Sequence, residues 1–298
     1  MIELVIPYRD RSIGSMNVRR VLPFPKRRAV GPFVFVDDFG PVEMVHDRSI
    51  DVLPHPHIGL ATVTFLFGGK MTHRDSLGTM QIIEPGEVNW MTAGRGVVHS
   101  ERVSDAPVNA GEKLLGVQTW IALPERDEEA APTFAHHGAD ELPAIEAEGV
   151  RVKVILGEIF GAKSPVETLS HPVYAGCRMQ NRASLSIPAF IEERSVYVLS
   201  GAILVGEQRF ESGTMVVFEA GKEAVFSAVG KTHLMIIGGA RLEKPRFMWW
   251  NFVSTSRERI EQAKKDWREQ NFPKIPGDDK EFVPLPAENY FRPSPPPL

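Results

Sequence analysis

Apolar and β-branched residues along this chain arrive in short bursts, cut apart by glycine, proline and aspartate. "FVFVDDFG", "ATVTFLFGG", "VNWMTAG", "LLGVQTWIAL", "RVKVILGEI", "SVYVLSGAILV", "GTMVVFEAG" and "HLMIIGGARL" each have the length of a strand. Strands so short and numerous, with almost no helical period between them, predict an all-β sandwich or barrel. One stretch departs from this. In "STSRERIEQAKKDWREQ", Thr255 reads as an N-cap with Glu258 three residues on, and Ile260, Ala263 and Trp267 share a face. That predicts one amphipathic helix near the C-terminus, stopped by Pro273 and followed by a loosely ordered Pro-rich tail, "RPSPPPL".

The chain also repeats itself. "EPGEVNWMTAG", Glu84 to Gly94, lies on "ESGTMVVFEAG", Glu211 to Gly221, with Glu, Gly, Ala and Gly in register, and "VTFLFGG" lies on "VYVLSG". Two copies of one β-domain follow, with the join in the acidic "PERDEEAAPTFAHHGADELP". The expected division is an N-terminal barrel over residues 1–130, a linker over 131–143 and a C-terminal barrel over 144–298 that carries the helix and the tail.

Composition narrows the function classes. A net charge of −4 over 298 residues provides no basic face for nucleic acid. The single Cys177 cannot form an internal disulfide, and no run approaches the ~18 apolar residues of a membrane helix. A cytoplasmic protein without membrane or direct nucleic-acid contacts is expected, and a monomer, because the two copies can pair within one chain. No P-loop, dinucleotide fingerprint or Ser-His-Asp context is present.

The candidate chemistry lies in two pairs. "PHPHIGL" holds His55 and His57, and "GVVHSERV" holds His99 and Glu101. Side chains two apart on a strand share a face, so His-x-His and His-x-Glu each present a pair. Laid on the second copy, His55 and His57 fall on Ile187 and Ala189, and His99 and Glu101 on Phe226 and Ala228. Four metal-competent side chains in one copy thus face four apolar residues in the other, as expected if one barrel interior holds an ion and the other is filled with hydrocarbon. Imidazole suits Fe, Ni, Cu, Co or Zn, and an added carboxylate leans toward Fe(II) or Mn(II) with open positions. With three neutral imidazoles and one carboxylate the ion keeps a net charge of about +1, enough to attract an anionic oxygen ligand.

"HPHIGLATVTFLFGGKMTHRDSLG" followed by "EPGEVNWMTAGRGVVHSERV" resembles the pirin family of the cupin superfamily, as do "FVFVDDFGP" before it and "RFMWWNFVSTSRERIEQAKKDW" after it. The resemblance implies two cupin (double-stranded β-helix, jelly-roll) barrels face to face, the N-terminal one holding iron or a similar divalent metal through His55, His57, His99 and Glu101. The general cupin motif puts its glutamate four residues after the second histidine; that position is Ala61 here, and the carboxylate comes from the second motif, as in pirins. The resemblance further implies ring opening of a flavonol with O2, of the quercetin 2,3-dioxygenase type; from the ligand set itself, Glu101 is the candidate base once it loosens from the metal. A metal-dependent regulatory protein with a protein partner is the alternative, and the absence of a basic stripe or docking motif favours the enzyme.

The other histidines and aromatics have plainer expected roles. His73 in "MTHRDSLG" reads as a satisfied loop histidine, and His136 and His137 as solvent-exposed linker residues. Trp249 and Trp250 in "FMWWNF" read as packing beneath the helix, because no basic residues interleave with them.

Overall fold

All eight strand-length bursts are strands in a computed structural model that describes residues 1–14, 16–44, 49–106 and 111–287. The expected all-β, two-barrel architecture with one C-terminal helix is the one found, although the Pro-rich tail at residues 292–298 lies outside the described residues. No helix among the described residues is long and apolar enough to cross a membrane.

The chain forms two compact units. One comprises residues 1–11, 19–38 and 137–241; the other comprises 12–18, 39–136 and 242–298. The contiguous division expected from the repeat is therefore corrected. Ile2–Pro7 pairs antiparallel with Thr214–Phe218, which places the N-terminal strand in the sheet of the second copy. The stretch expected as a linker contributes the strand Thr133–His137, hydrogen-bonded beside Val88–Thr92. The C-terminal helix belongs with the first copy. Its buried face, Ile260, Ala263 and Trp267, packs with Phe252 on Ile58 and Val98, the outward-facing neighbours of the histidine pairs. Burying apolar area joins these elements across the sequence, and chain contiguity does not constrain it.

In the unit of the second copy, a nine-stranded sheet runs Ile2–Pro7, Thr214–Phe218, Glu193–Val205, Ala224–Gly239, Pro172–Met179, Val150–Leu156, Ala144–Ala147, with Ser184–Ile187 and Gln208–Glu211 off that path. Its interior is apolar, including Val154, the Cys177 thiol, Ile187, Val198, Phe226 and Ala228. The repeat is confirmed with one shift of register. Ser184–Ile187 pairs with Ala224–Gly239 so that Leu185 opposes Phe226 and Ile187 opposes Ala224. In the first copy His55 opposes His99 and His57 opposes Val97. Leu185 and Ile187 therefore stand where His55 and His57 stand, whereas Ala189 is exposed beyond the strand end. A two-residue slip keeps each side chain on its face, so the contrast between a polar and an apolar interior survives the correction.

In the other unit, one sheet runs Val52–His57, Val97–Arg102, Met71–Asp75, Met80–Ile83, and a second carries Thr133–His137, Val88–Thr92, Leu60–Gly68 and Lys113–Ala122 in that order. Helix Arg257–Arg268 is capped by Ser256, one residue after the expected Thr255: the Ser256 hydroxyl accepts from Arg259 N–H at 3.1 Å. Thr255 is diverted because its N–H and hydroxyl donate instead to the buried Glu128 carboxylate. Trp249 and Trp250 pack against the helix cluster, as expected.

Candidate metal centre

Alternation along two neighbouring strands builds the site. On Val97–Arg102, Val98, Ser100 and Arg102 face outward: Val98 lies under the helix, and Ser100 and Arg102 both donate to Asp278. His99 and Glu101 face inward, 1% and 8% exposed. His55 and His57 on the adjacent strand are 7% and 1% exposed. His99 lies directly opposite His55, and an irregularity in the ladder between His99 and Glu101 re-aims the carboxylate. The ligand-type nitrogens of His55, His57 and His99 all lie within 4.8 Å of one another, with ring centroids 4.3–5.1 Å apart.

Glu101 is not within that close trio. Its Oε1 accepts from the Thr64 hydroxyl at 3.2 Å, reaching across to the second sheet of the unit. Thr64 also meets Gln118 at 2.8 Å, and Trp120 presents its edge to His57 at 5.0 Å between ring centroids.

Two backbone carbonyls set tautomers. His55 Nδ1 lies 2.8 Å from the Leu53 carbonyl and His57 Nδ1 lies 3.2 Å from that of Asn251. A carbonyl only accepts, so each Nδ1 carries the proton and each Nε2 offers a lone pair. The Asn251 carbonyl comes from the hairpin of Phe247–Trp249 and Phe252–Ser254, which docks through Val253 N–H on the Ile58 carbonyl. Gly59 permits that approach: its φ is +67°, and a Cβ there would lie 1.9 Å from the Val253 oxygen.

The electrostatics favour neutral imidazoles. Burial pushes His55 down to about 4, with the Leu53 bond opposing and the charge of His73 adding to the effect. Burial likewise holds His57 and His99 well below the ordinary histidine value. Burial raises Glu101, against the charge of His73 and the Thr64 bond. The His55 shift has a stability consequence. The unfolded chain takes up a proton below 6.5 and the folded one only near 4, so stability is fully present above 6.5 and is lost as pH falls toward 4. His55 by itself accounts for about 3 kcal/mol across that window. Urea midpoints of metal-free protein from pH 7 to 4 should fall accordingly, and a His55→Gln variant should lose about that much less. Parallel curves for the two proteins would contradict the assignment.

Two expectations about other histidines need correction. His73 lies in the strand Met71–Asp75, not a loop, is 4% exposed, and stacks on Phe134 at 4.5 Å. Its Nε2 lies 3.0 Å from Asp75 Oδ2, and its Nδ1 lies 3.5 Å from His99 Nδ1. The signal was present as a third inward pair of period two, His73-x-Asp75, which the reading of "MTHRDSLG" as a loop concealed. His136 and His137 are half-buried strand residues, bonded to Asn89 and Glu141 respectively.

Residues 15–121 match the Pirin family model, and residues 174–273 match the model of the Pirin C-terminal cupin domain. A pirin-like protein of Caulobacter vibrioides is 44% identical over 290 residues, covering 96% of this chain and 100% of its own. Pirin of Homo sapiens is 31% identical over 277 residues, covering 90% of this chain and 92% of its own. Among solved structures, a quercetin 2,3-dioxygenase from Acinetobacter baumannii has a TM-score of 0.87 and 32% identity over 95% of each chain.

Proposed function

The chain belongs to the pirin family, and on that premise we propose that it is a metal-dependent dioxygenase that opens the ring of a quercetin-like flavonol with O2, releasing carbon monoxide. The observation that carries this reading is the convergence of three buried imidazoles beside a buried carboxylate. The likeness to the Acinetobacter baumannii quercetin 2,3-dioxygenase supports it along nearly the whole chain.

The donors suit a divalent first-row ion. His99 Nε2 is buried and has no hydrogen-bond partner, which is costly for a polar atom unless a cation occupies its lone pair. His55, His57 and His99 would hold the ion through Nε2 and Glu101 through a carboxylate oxygen, a set that favours Fe(II) over a closed zinc site. When bound, the ion supplies Lewis acidity that lowers the pKa of a substrate hydroxyl.

The protein's own residues do the rest. Glu101, once released from the ion, takes the proton of the flavonol 3-hydroxyl at Oε2, the oxygen that the Thr64 bond leaves free. The buried carboxylate is the one group of the set able to accept a proton while the three imidazoles hold the ion. Trp120, edge-on to His57, provides an apolar wall for a planar ring.

Glu101→Gln tests the assignment. The amide preserves shape and can still bind through oxygen, so the variant should keep most of its iron while quercetin turnover falls by about 10²–10⁴-fold. Oxygen uptake and carbon monoxide release, normalised to metal content, provide the measurement. Unchanged turnover would remove Glu101 from the role of base, and no flavonol turnover by iron-loaded wild type would overturn the dioxygenase reading.

A further inference from the structure

We propose that Asp75 and His73 are positioning residues for the metal, forming a relay through which His99 is held in the one tautomer that can bind an ion. This inference rests on the metal reading above and adds to it two residues that touch neither metal nor substrate.

The relay begins at the carboxylate. Asp75 is completely buried, and its Oδ1 accepts from the backbone N–H groups of Leu77 and Thr79 at 2.9 and 3.0 Å. The tight turn after the strand thereby anchors one oxygen and aims the other, Oδ2, at His73 Nε2, 3.0 Å away. Oδ1 accepts from two backbone N–H groups and Oδ2 meets His73 Nε2 as an acceptor, so Nε2 carries the proton and, in the neutral ring, Nδ1 carries the lone pair.

That lone pair faces His99 Nδ1 at 3.5 Å. His99 therefore keeps its own proton on Nδ1, and its buried Nε2, which has no hydrogen-bond partner, is left with a lone pair to offer an ion. Phe134, stacked on His73 with 22° between the planes, stops the His73 ring from turning away. The register makes the relay compact, because Asp75 lies opposite His99 and His73 opposite Glu101 on the paired strands. His55 and His57 rely on backbone carbonyls for the same purpose, and only His99 depends on ionisable side chains.

Asp75→Asn is the decisive substitution. The amide oxygen it introduces can keep the Leu77 and Thr79 bonds, but the amide N–H then points at His73 Nε2 and reverses that ring's tautomer. His73 would present Nδ1–H to His99 Nδ1, and His99 would move its proton to the metal-binding nitrogen. His73→Phe removes the acceptor while preserving the stack on Phe134, and His73→Gln restores an oxygen that can accept from His99 Nδ1–H.

The probe is Co(II), titrated anaerobically into metal-free wild type and the three variants, with affinity from chelator competition and coordination from the visible ligand-field spectrum. Expected are a 10- to 100-fold loss of affinity and shifted bands in Asp75→Asn and His73→Phe, with substantial recovery in His73→Gln. Affinities within about threefold of wild type and superimposable spectra in both loss variants would overturn the relay. So would equal losses in His73→Phe and His73→Gln, which would make packing the cause. If wild type itself takes up no Co(II), the metal reading fails and the relay falls with it, an outcome distinct from a wild type that binds and variants that match it.

Discussion

Purified His57→Ala protein should retain less than about a tenth of the metal found in wild type prepared alongside it, and its quercetin turnover should fall to background. His57 contributes one of three imidazole nitrogens that all lie within 4.8 Å of one another. Loss of a supporting group near a metal already costs about 10- to 100-fold in affinity, and loss of a direct ligand costs more. The alanine leaves a gap beside Trp120, so some stability is lost as well. His137→Ala provides the control, because the His137 ring is paired with the exposed Glu141. Elemental mass spectrometry, with circular dichroism to confirm folding, decides the matter. A folded His57→Ala protein carrying a full equivalent of iron would refute the assignment of His57.

The largest loss of stability is expected from Glu128→Ala, far from any reacting atom. Glu128 is 5% exposed and accepts from the Ser254 hydroxyl at 2.8 Å and from both the N–H and the hydroxyl of Thr255. It is also the buried counter-ion of Arg246, whose Nε lies 3.0 Å from Oε1 although off the N–H axis. Arg246 in turn donates to the carbonyls of Leu123 and Lys244. Removing Glu128 leaves the buried guanidinium with only the exposed Glu243 carboxylate, 3.4 Å away, and costs about 3–5 kcal/mol. For a 298-residue chain that corresponds to a fall in Tm of roughly 5–8 °C. The loss should reach the metal site as well. Ser254 and Thr255 end the hairpin whose Asn251 carbonyl holds His57 Nδ1–H, so loosening it frees the His57 ring. Glu128→Gln, which keeps the shape and most acceptors, should cost less than half as much. A Glu128→Ala protein within about 1 kcal/mol of wild type by urea unfolding would show that Arg246 is satisfied by other groups.

The strand bursts and the helix were readable in the amino-acid sequence because the period of side chains along a strand or helix is a local property. The same locality exposed His55, His57, His99 and Glu101: each pair shares a face two residues apart, and the repeat shows Phe226 and Ala228 where the other copy has His99 and Glu101. Period two also makes a register ambiguous by two residues without changing the face, which is why Leu185 and Ile187, rather than Ile187 and Ala189, are the counterparts of His55 and His57.

Everything that required distant segments to meet was decided by folding. Ile2–Pro7 joins the sheet of the second copy through backbone hydrogen bonds, which carry no side-chain signature. The C-terminal helix covers Ile58 and Val98 because both have apolar faces to bury, and nothing local specifies the partner. Asn251 acts on His57 through a main-chain carbonyl that any residue would offer. His73 and Asp75 lie on their strand in the same period-two pattern as His99 and Glu101, yet their place beside His99 is a product of strand pairing. The covalent order of residues thus determined which faces the side chains occupy. Non-local burial and pairing determined which faces meet, and with them the tautomers and burial that bring three imidazoles together as a candidate metal centre.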